Sequence, residues 1–307
     1  MGRRLADRVV ESGCGFYVLC STHRVSTFET LPTGYRRCTP QLRPVPYYCP
    51  QYLLDEMVRI APTPSGFLHL GNAANFAANA LLADGGRLLL RIDDLDRARF
   101  RPEYLQDVFD VLEWLQITWT DGPRDAVDFA AHWSQEHRMP LYHEALDRLA
   151  GSERVFACPC SRRELAEGTH QHGCLTQKVA LNSHGIAWRM DTRGTALHDT
   201  IPWFAVRKKD GRPSYQLACT VDDQHFGITA CARGADLLAS TEAQALVSDL
   251  LGYPPLRERI RFVHHPLLTD GGEKISKSQG ARSVRDWGVS PEEVFHIARE
   301  WIAAATP

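Results

Sequence analysis

From Met57 onward, short apolar runs alternate with longer segments whose apolar residues recur every three or four positions. That alternation is what parallel strands joined by helices require. Met57-Val58-Arg59-Ile60 reads as a strand running into the turn at Ala61-Pro62. Residues 68–82 are alanine-rich and predict a helix, and residues 87–92, bounded by Gly85-Gly86, predict a strand buried on both faces. Residues 102–115 predict a helix, with Pro102 near its start and Leu105, Val108, Phe109, Leu112 and Leu115 on one face. Residues 140–149 predict another. Residues 185–206 and 214–232 read as β-rich, and residues 236–251 as helix. Residues 1–56 have neither period, and carry Cys14, Cys20, Cys38, Cys49 and a proline-rich stretch from Pro40 to Pro50. They are expected to be a poorly ordered N-terminal extension without catalytic role, with Met57 a natural first residue.

Composition narrows the class. The chain has 307 residues, 44% hydrophobic and 23% charged, which excludes disorder, collagen and coiled coil. A net charge of -2 excludes wholesale wrapping of nucleic acid, so any RNA contact must use a local patch. Arg257, Arg259, Arg261, Arg282 and Arg285 form one late basic concentration, equally readable as a solvated face. No apolar run is long enough to cross a bilayer and no signal-peptide layout opens the chain, so a soluble cytoplasmic protein is expected. The nine cysteines are an odd count. Their clearest cluster, Cys158-Pro-Cys160 followed by His170-Gln-His172-Gly-Cys174, offers soft thiolates and imidazole suited to tetrahedral zinc, with His170 or His172 beside the thiolates. Cys219 and Cys231 read as packed core residues.

Two motifs carry candidate chemistry. The first, Ala61-Pro62-Thr63-Pro64-Ser65-Gly66-Phe67-Leu68-His69-Leu70-Gly71-Asn72, links a strand to a helix N-terminus, where free N–H groups and the helix dipole favour phosphate. His69 can donate to a phosphate oxygen, and Gly71 permits close approach. The second, Gly271-Gly272-Glu273-Lys274-Ile275-Ser276-Lys277-Ser278, is a glycine-hinged loop able to close over a triphosphate and neutralise charge as pyrophosphate leaves. Alone, each reads as an ordinary capped helix start or solvated turn. Their joint occurrence in this order is what points to nucleotide chemistry.

Together, His69-Leu-Gly71-Asn72 and Lys274-Ile-Ser-Lys277-Ser278 resemble the HIGH and KMSKS motifs of class I aminoacyl-tRNA synthetases. The likeness is to the glutamyl group, through Arg59-Ile-Ala-Pro-Thr-Pro-Ser-Gly, Leu90-Arg91-Ile92-Asp93-Asp94-Leu95-Asp96-Arg97, Gln135-Glu-His-Arg138-Met-Pro-Leu-Tyr142, Val221-Asp222-Asp223 and Arg233-Gly234-Ala235-Asp236-Leu237. It covers Val58 to the end. Only 30 residues follow Lys277, and Tyr215-Gln-Leu-Ala and Arg233-Gly-Ala-Asp are similar to the shortened glutamyl-Q tRNA(Asp) synthetases of that family.

The resemblance implies a Rossmann-like doubly wound parallel α/β sheet, its halves at 57–150 and 201–307. It also implies a zinc-binding insertion at 151–200 and no anticodon-binding domain. It implies activation of glutamate with ATP and Mg2+, and transfer to the queuosine base of tRNA(Asp), by a chain expected to be monomeric. Implied for ATP are His69, Gly71, Asn72 and Lys277, with Lys274 assisting. Implied for glutamate are Arg59, Ala61, Thr63, Asp93, Tyr215 and Arg233. Cys158, Cys160, His170 and Cys174 are the implied ligands of a structural zinc. Two residues depart from the family pattern, Asp93 for glutamate and Thr63 for serine; the shorter acid implies either a water-mediated contact to the substrate ammonium or a slightly different ligand. A shortened enzyme charging a tRNA 3′ end and a non-catalytic nucleotide-binding paralogue are the competing readings.

Overall fold

In a computed structural model of the chain, the described residues are 9–12, 15–18, 27–30, 36–39, 56–166, 174, 179–270, 273–274 and 282–305. They fall into two units, Met1–Pro50 and Gln51–Pro307. In the first, β1 (Val9–Ser12) pairs antiparallel with β2 (Gly15–Val18), and β3 (Thr27–Thr30) with β4 (Arg36–Thr39). The weak periodicity of this stretch predicts none of these pairs.

In the second unit the chain runs β5 (Met57–Ile60), α1 (Leu70–Ala83), β6 (Arg87–Leu90), α2 (Pro102–Trp114), α3 (Met139–Ala150), β7 (Val155–Cys158), β8 (Ala187–Asp191), β9 (Trp203–Arg207), α4 (Tyr215–His225), β10 (Ala230–Gly234), α5 (Leu238–Leu250), β11 (Arg261–His265) and α6 (Pro291–Ala305), with shorter turns between. The parallel strands lie in the order β11-β10-β5-β6. Alternation along each strand divides the core. Val58, Ile60, Leu88, Leu90, Ala230 and Ala232 face α1, α2 and α6, while Met57, Leu89 and Cys231 pack with Ile228, Leu256 and Ile260 on the other side. Period two is the reason: neighbouring side chains on a strand point to opposite faces. β7, β8 and β9 form a separate antiparallel sheet running from Val155 to Arg207, so its last strand lies beyond residue 200.

The expectation of β structure over 214–232 is corrected: Tyr215–His225 is a helix. Tyr215, Thr220 and Val221 favour strands by propensity, but tertiary packing overrides it. Leu217, Ala218 and Val221 bury together in the second core with Tyr142, Leu146 and Met190. Ser214 caps the helix through its side chain, and the Thr220 hydroxyl donates to the Gln216 carbonyl at 2.8 Å instead of disrupting the turn.

The connection from β5 leaves toward β6, and the connection from β10 leaves toward β11 in the opposite direction. A crevice therefore opens between the carboxyl ends of β5 and β10, the switch point where open α/β sheets bind ligands. Asn79, in α1, bonds both sides of the β10 backbone there: its Oδ1 accepts from Ala232 N at 2.8 Å and its Nδ2 donates to the Ala232 carbonyl at 2.9 Å. Asn79→Ala removes the partner of a buried N–H and is expected to lower unfolding free energy by about 1–3 kcal/mol, measured by urea denaturation; an unchanged midpoint contradicts this anchoring role.

Candidate active site

Arg59 in β5, Arg91 just past β6 and Arg233 in β10 share one strand parity, so three guanidiniums sit at the carboxyl ends of three adjacent strands. All are buried. Arg59 makes a two-pronged pair with Asp223, Nε to Oδ1 at 2.7 Å and Nη2 to Oδ2 at 3.1 Å. Arg91 pairs the same way with Asp93, at 2.8 and 3.1 Å, and also reaches Asp223 Oδ1 at 2.5 Å. Next to them Asp222 accepts from Arg138, from the Tyr142 hydroxyl at 2.7 Å and from Gln135 Nε2 at 2.9 Å. Burial pushes the Asp93 carboxyl above its usual range, and the Arg91 pair offsets only part of that. Burial acts on Asp223 too, but Arg59 and Arg91 outweigh it and hold this carboxyl at about 2.

Arg233 differs. It donates from Nη1 to Gln244 Oε1 at 2.9 Å and Thr241 Oγ1 at 3.2 Å, and from Nη2 to the Tyr215 hydroxyl at 2.9 Å. Its guanidinium lies 5.2 Å from the Phe262 ring centre. Every one of these partners is neutral; burial pushes the Tyr215 hydroxyl up to about 12, so it stays protonated at neutral pH.

His69 is the N-cap of α1. Its Nδ1 accepts from Gly71 N at 3.1 Å, and Asn72 Oδ1 accepts from His69 N at 3.2 Å. The motif thus closes on itself, with the Gly71 N–H taken up by the His69 ring. With Nδ1 accepting, the neutral ring carries its proton on Nε2. A Cβ on Gly71 would lie 3.1 Å from His69 Cε1, so the glycine makes room for the imidazole. The loop ahead of His69 is clamped at both peptide groups of Leu68, by Asp107 Oδ2 and by Val284 N, each at 2.8 Å.

These elements enclose a cavity of about 250 Å³. Its wall includes Arg59, Ala61, His69, Gly71, Asn72, Tyr215 and Arg233 of the expected set, together with Asn75, Asp236, His265 and Trp301, which the sequence reading did not single out. His265 stacks on Trp301 with 3.8 Å between ring centres, and its Nε2 meets Asn75 Nδ2 at 3.0 Å. Neither Thr63 nor Asp93 belongs to that wall. Lys277 and the Lys274 side chain lie outside the described residues, so the convergence of the two motifs does too. Cys219 and Cys231 are buried as expected, but Cys219 lies on the helix α4 beside charges, its Sγ 3.5 Å from both Arg59 and Arg91 Nη2. The basic concentration is mostly a solvated, ion-paired face: exposed Arg257 pairs with Glu242, Arg261 with Glu56 and Arg285 with Asp110, while Arg259 donates to the Asp223 carbonyl.

Separately, Cys158, Cys160 and Cys174 bring their sulfurs together, Cys160 to Cys174 at 3.4 Å and Cys174 to Cys158 at 3.9 Å. These spacings bracket the sulfur–sulfur edge of about 3.8 Å that a tetrahedral zinc–thiolate site needs, and none of the three is in a disulfide. The donor set therefore fits a soft metal ion. His170 and His172 lie outside the described residues.

A parallel sheet with a capped histidine and strand-end arginines around its switch-point crevice defines an α/β ligand-binding domain. Residues 57–185 and 169–301 match the sequence profile of the family tRNA synthetases class I (E and Q), catalytic domain, and the chain belongs to that family of ligases. It is 36% identical over 282 residues to a glutamyl-Q tRNA(Asp) synthetase of Symbiobacterium thermophilum, covering 78% of this chain and 84% of that protein. To the protein of the same name from Synechococcus sp. (strain CC9605) it is 38% identical, over 77% of this chain and 80% of the relative. A glutamate–tRNA ligase of Thermosynechococcus vestitus is 31% identical, but there the match spans only 53% of the relative. Among solved structures, the glutamate–tRNA synthetase of Elizabethkingia anophelis shares the fold with a TM-score of 0.60 at 22% identity, over 76% of this chain and 54% of that one. No helix among the described residues is long and apolar enough to cross a membrane.

The depressed Asp223 carboxyl sets a pH dependence. Its folded value of about 2 lies below the ordinary one of 3.8, so its contribution is complete above about pH 4 and disappears as pH falls toward 2. Asp223→Asn is expected to flatten that acid limb. At neutral pH it is expected to cost about 3–5 kcal/mol, by stranding Arg59 as a buried cation. Circular dichroism between pH 2 and 7 checks both; a variant as stable as the parent at neutral pH contradicts the pairing.

Proposed function

We propose that the chain activates glutamate with ATP and Mg2+ and transfers the glutamyl group to the queuosine base of tRNA(Asp). The observation that carries this reading is the cavity joining Arg233, a buried guanidinium with no acid partner among the described residues, to the N-cap imidazole of His69. Arg233 receives the side-chain carboxylate of glutamate and leaves the α-carboxylate free to attack the α-phosphorus of ATP. Activation then needs orientation and charge stabilisation more than a general base. His69 donates from Nε2 to a phosphate oxygen, while Gly71 and Asn72 shape that end of the cleft and Arg59 and Ala61 its floor. Lys277, with Lys274, neutralises the departing pyrophosphate. Asp93, held on Arg91, acts on the substrate ammonium through water, as its short side chain requires.

The relatives that carry the glutamyl-Q name are 36% and 38% identical to this chain, the glutamate–tRNA ligase 31%. That contrast favours queuosine-bearing tRNA(Asp) over a tRNA 3′ end. Zinc held by Cys158, Cys160 and Cys174, with His170 as fourth ligand, supplies a structural crosslink at the end of β7. With no open position, it takes no part in the reaction. Residues 1–56 have no catalytic role in this reading, and the enzyme is a cytoplasmic monomer.

The test is glutamate-dependent exchange of pyrophosphate into ATP without RNA, followed by transfer of labelled glutamate. Label is expected in queuosine-bearing tRNA(Asp) and not in tRNA(Glu). Label in tRNA(Glu) supports the shortened charging enzyme, and no exchange with any amino acid supports a non-catalytic paralogue.

A further inference from the structure

Four guanidiniums are buried around the crevice, Arg59, Arg91, Arg138 and Arg233, against three carboxylates, Asp93, Asp222 and Asp223, that pair with them. The first three arginines take all three acids. Among the described residues no carboxylate lies within ion-pair distance of Arg233, which is 3% exposed. A buried cation with only neutral neighbours is destabilising, and proteins ordinarily place an acid beside it. Here α5 places Gln244 and Thr241 instead, each nearly fully buried. Gln244 Oε1 accepts from Arg233 Nη1 at 2.9 Å. The Thr241 hydroxyl accepts from the same nitrogen and itself donates to the Leu237 carbonyl at 3.0 Å. Two buried donors of this cradle, Arg233 Nε and Gln244 Nε2, have no acceptor.

We propose that Gln244, seconded by Thr241, determines the specificity of the site: it orients Arg233 through a neutral acceptor and so leaves the guanidinium charge for a substrate carboxylate. Glutamate at position 244 has nearly the same shape but brings its own anion, so it occupies that charge. Gln244 is thus a positioning residue whose neutrality, not its hydrogen bond alone, separates a dicarboxylate amino acid from its amide. This rests on the proposed activation of glutamate.

The experiment compares Gln244→Glu and Gln244→Met in the full chain. Both are assayed by pyrophosphate exchange with glutamate and with glutamine, and by thermal unfolding. Gln244→Glu is expected to raise KM for glutamate at least about ten-fold and to lower the preference for glutamate over glutamine, with KM for ATP within about two-fold. It is also expected to unfold no earlier than the parent, since it pairs a lone cation. Gln244→Met, which removes the acceptor but adds no charge, is expected to raise KM for glutamate about three-fold, well short of the Gln244→Glu effect, and to retain the preference for glutamate over glutamine. An unchanged KM in Gln244→Glu overturns the proposal, as does an equal rise in both variants. Should Gln244→Glu fail to fold, Thr241→Asp puts a carboxylate against the same nitrogen and is held to the same criteria; unfolding of both overturns the proposal. If the parent chain shows no glutamate-dependent exchange, the functional reading fails by itself. The charge claim is then decided by melting temperature, standing if Gln244→Glu matches or exceeds the parent and falling if it melts with Gln244→Met.

Discussion

The ion-pair network at the strand ends is the constraint on which the rest depends. Period-two geometry sends Arg59, Arg91 and Arg233 to one face of the sheet, each two residues beyond a buried apolar residue of that face, Met57, Leu89 and Cys231. Guanidiniums at such a depth need partners, and α4 supplies them as Asp222 and Asp223 on its buried side. The helix is thus tied to the sheet electrostatically as well as by Leu217, Ala218 and Val221. Among the described residues the paired acids are fewer than the buried guanidiniums, and Arg233 is the cation left over, which is where the proposed function seats a substrate carboxylate.

A second, independent constraint sits across the cavity. His69 serves its own helix through Nδ1, and that fixes which nitrogen carries the proton toward the ligand. The cap and the Leu68 clamps hold the ring before any nucleotide arrives, so little ordering remains for binding to supply. Gly71 belongs to this arrangement as space for an imidazole rather than as a phosphate cradle.

Much of this was legible in the sequence because the signals were local. The strand at Met57, the alanine-rich helix after His69 and the helix beginning at Pro102 follow from periodicity and turn residues, and the family follows from ordered motifs. What escaped the sequence reading depends on contacts across long separations. Tyr215–His225 reads as strand because Tyr215, Thr220 and Val221 are strand formers, and only its packing against α3 and the sheet arginines makes it helical. Arg91 was passed over, although its parity with Leu89 places it beside Arg59. Asn75, His265 and Trp301 reach the cavity from two helices and a strand end, and no spacing rule joins them. Asp93, whose short side chain implied contact with the substrate ammonium through water, gives its carboxylate to Arg91, a pairing that its motif position did not foretell.

The central claim is that one crevice holds the amino acid at Arg233 and the nucleotide at His69. A crystal structure of the full chain with a non-hydrolysable glutamyl-adenylate analogue tests it most directly. The side-chain carboxylate of the analogue should accept from the Arg233 guanidinium, and its phosphate mimic should lie against His69 Nε2. A carboxylate bound away from Arg233, or an analogue seated outside the β5–β10 crevice, contradicts the account.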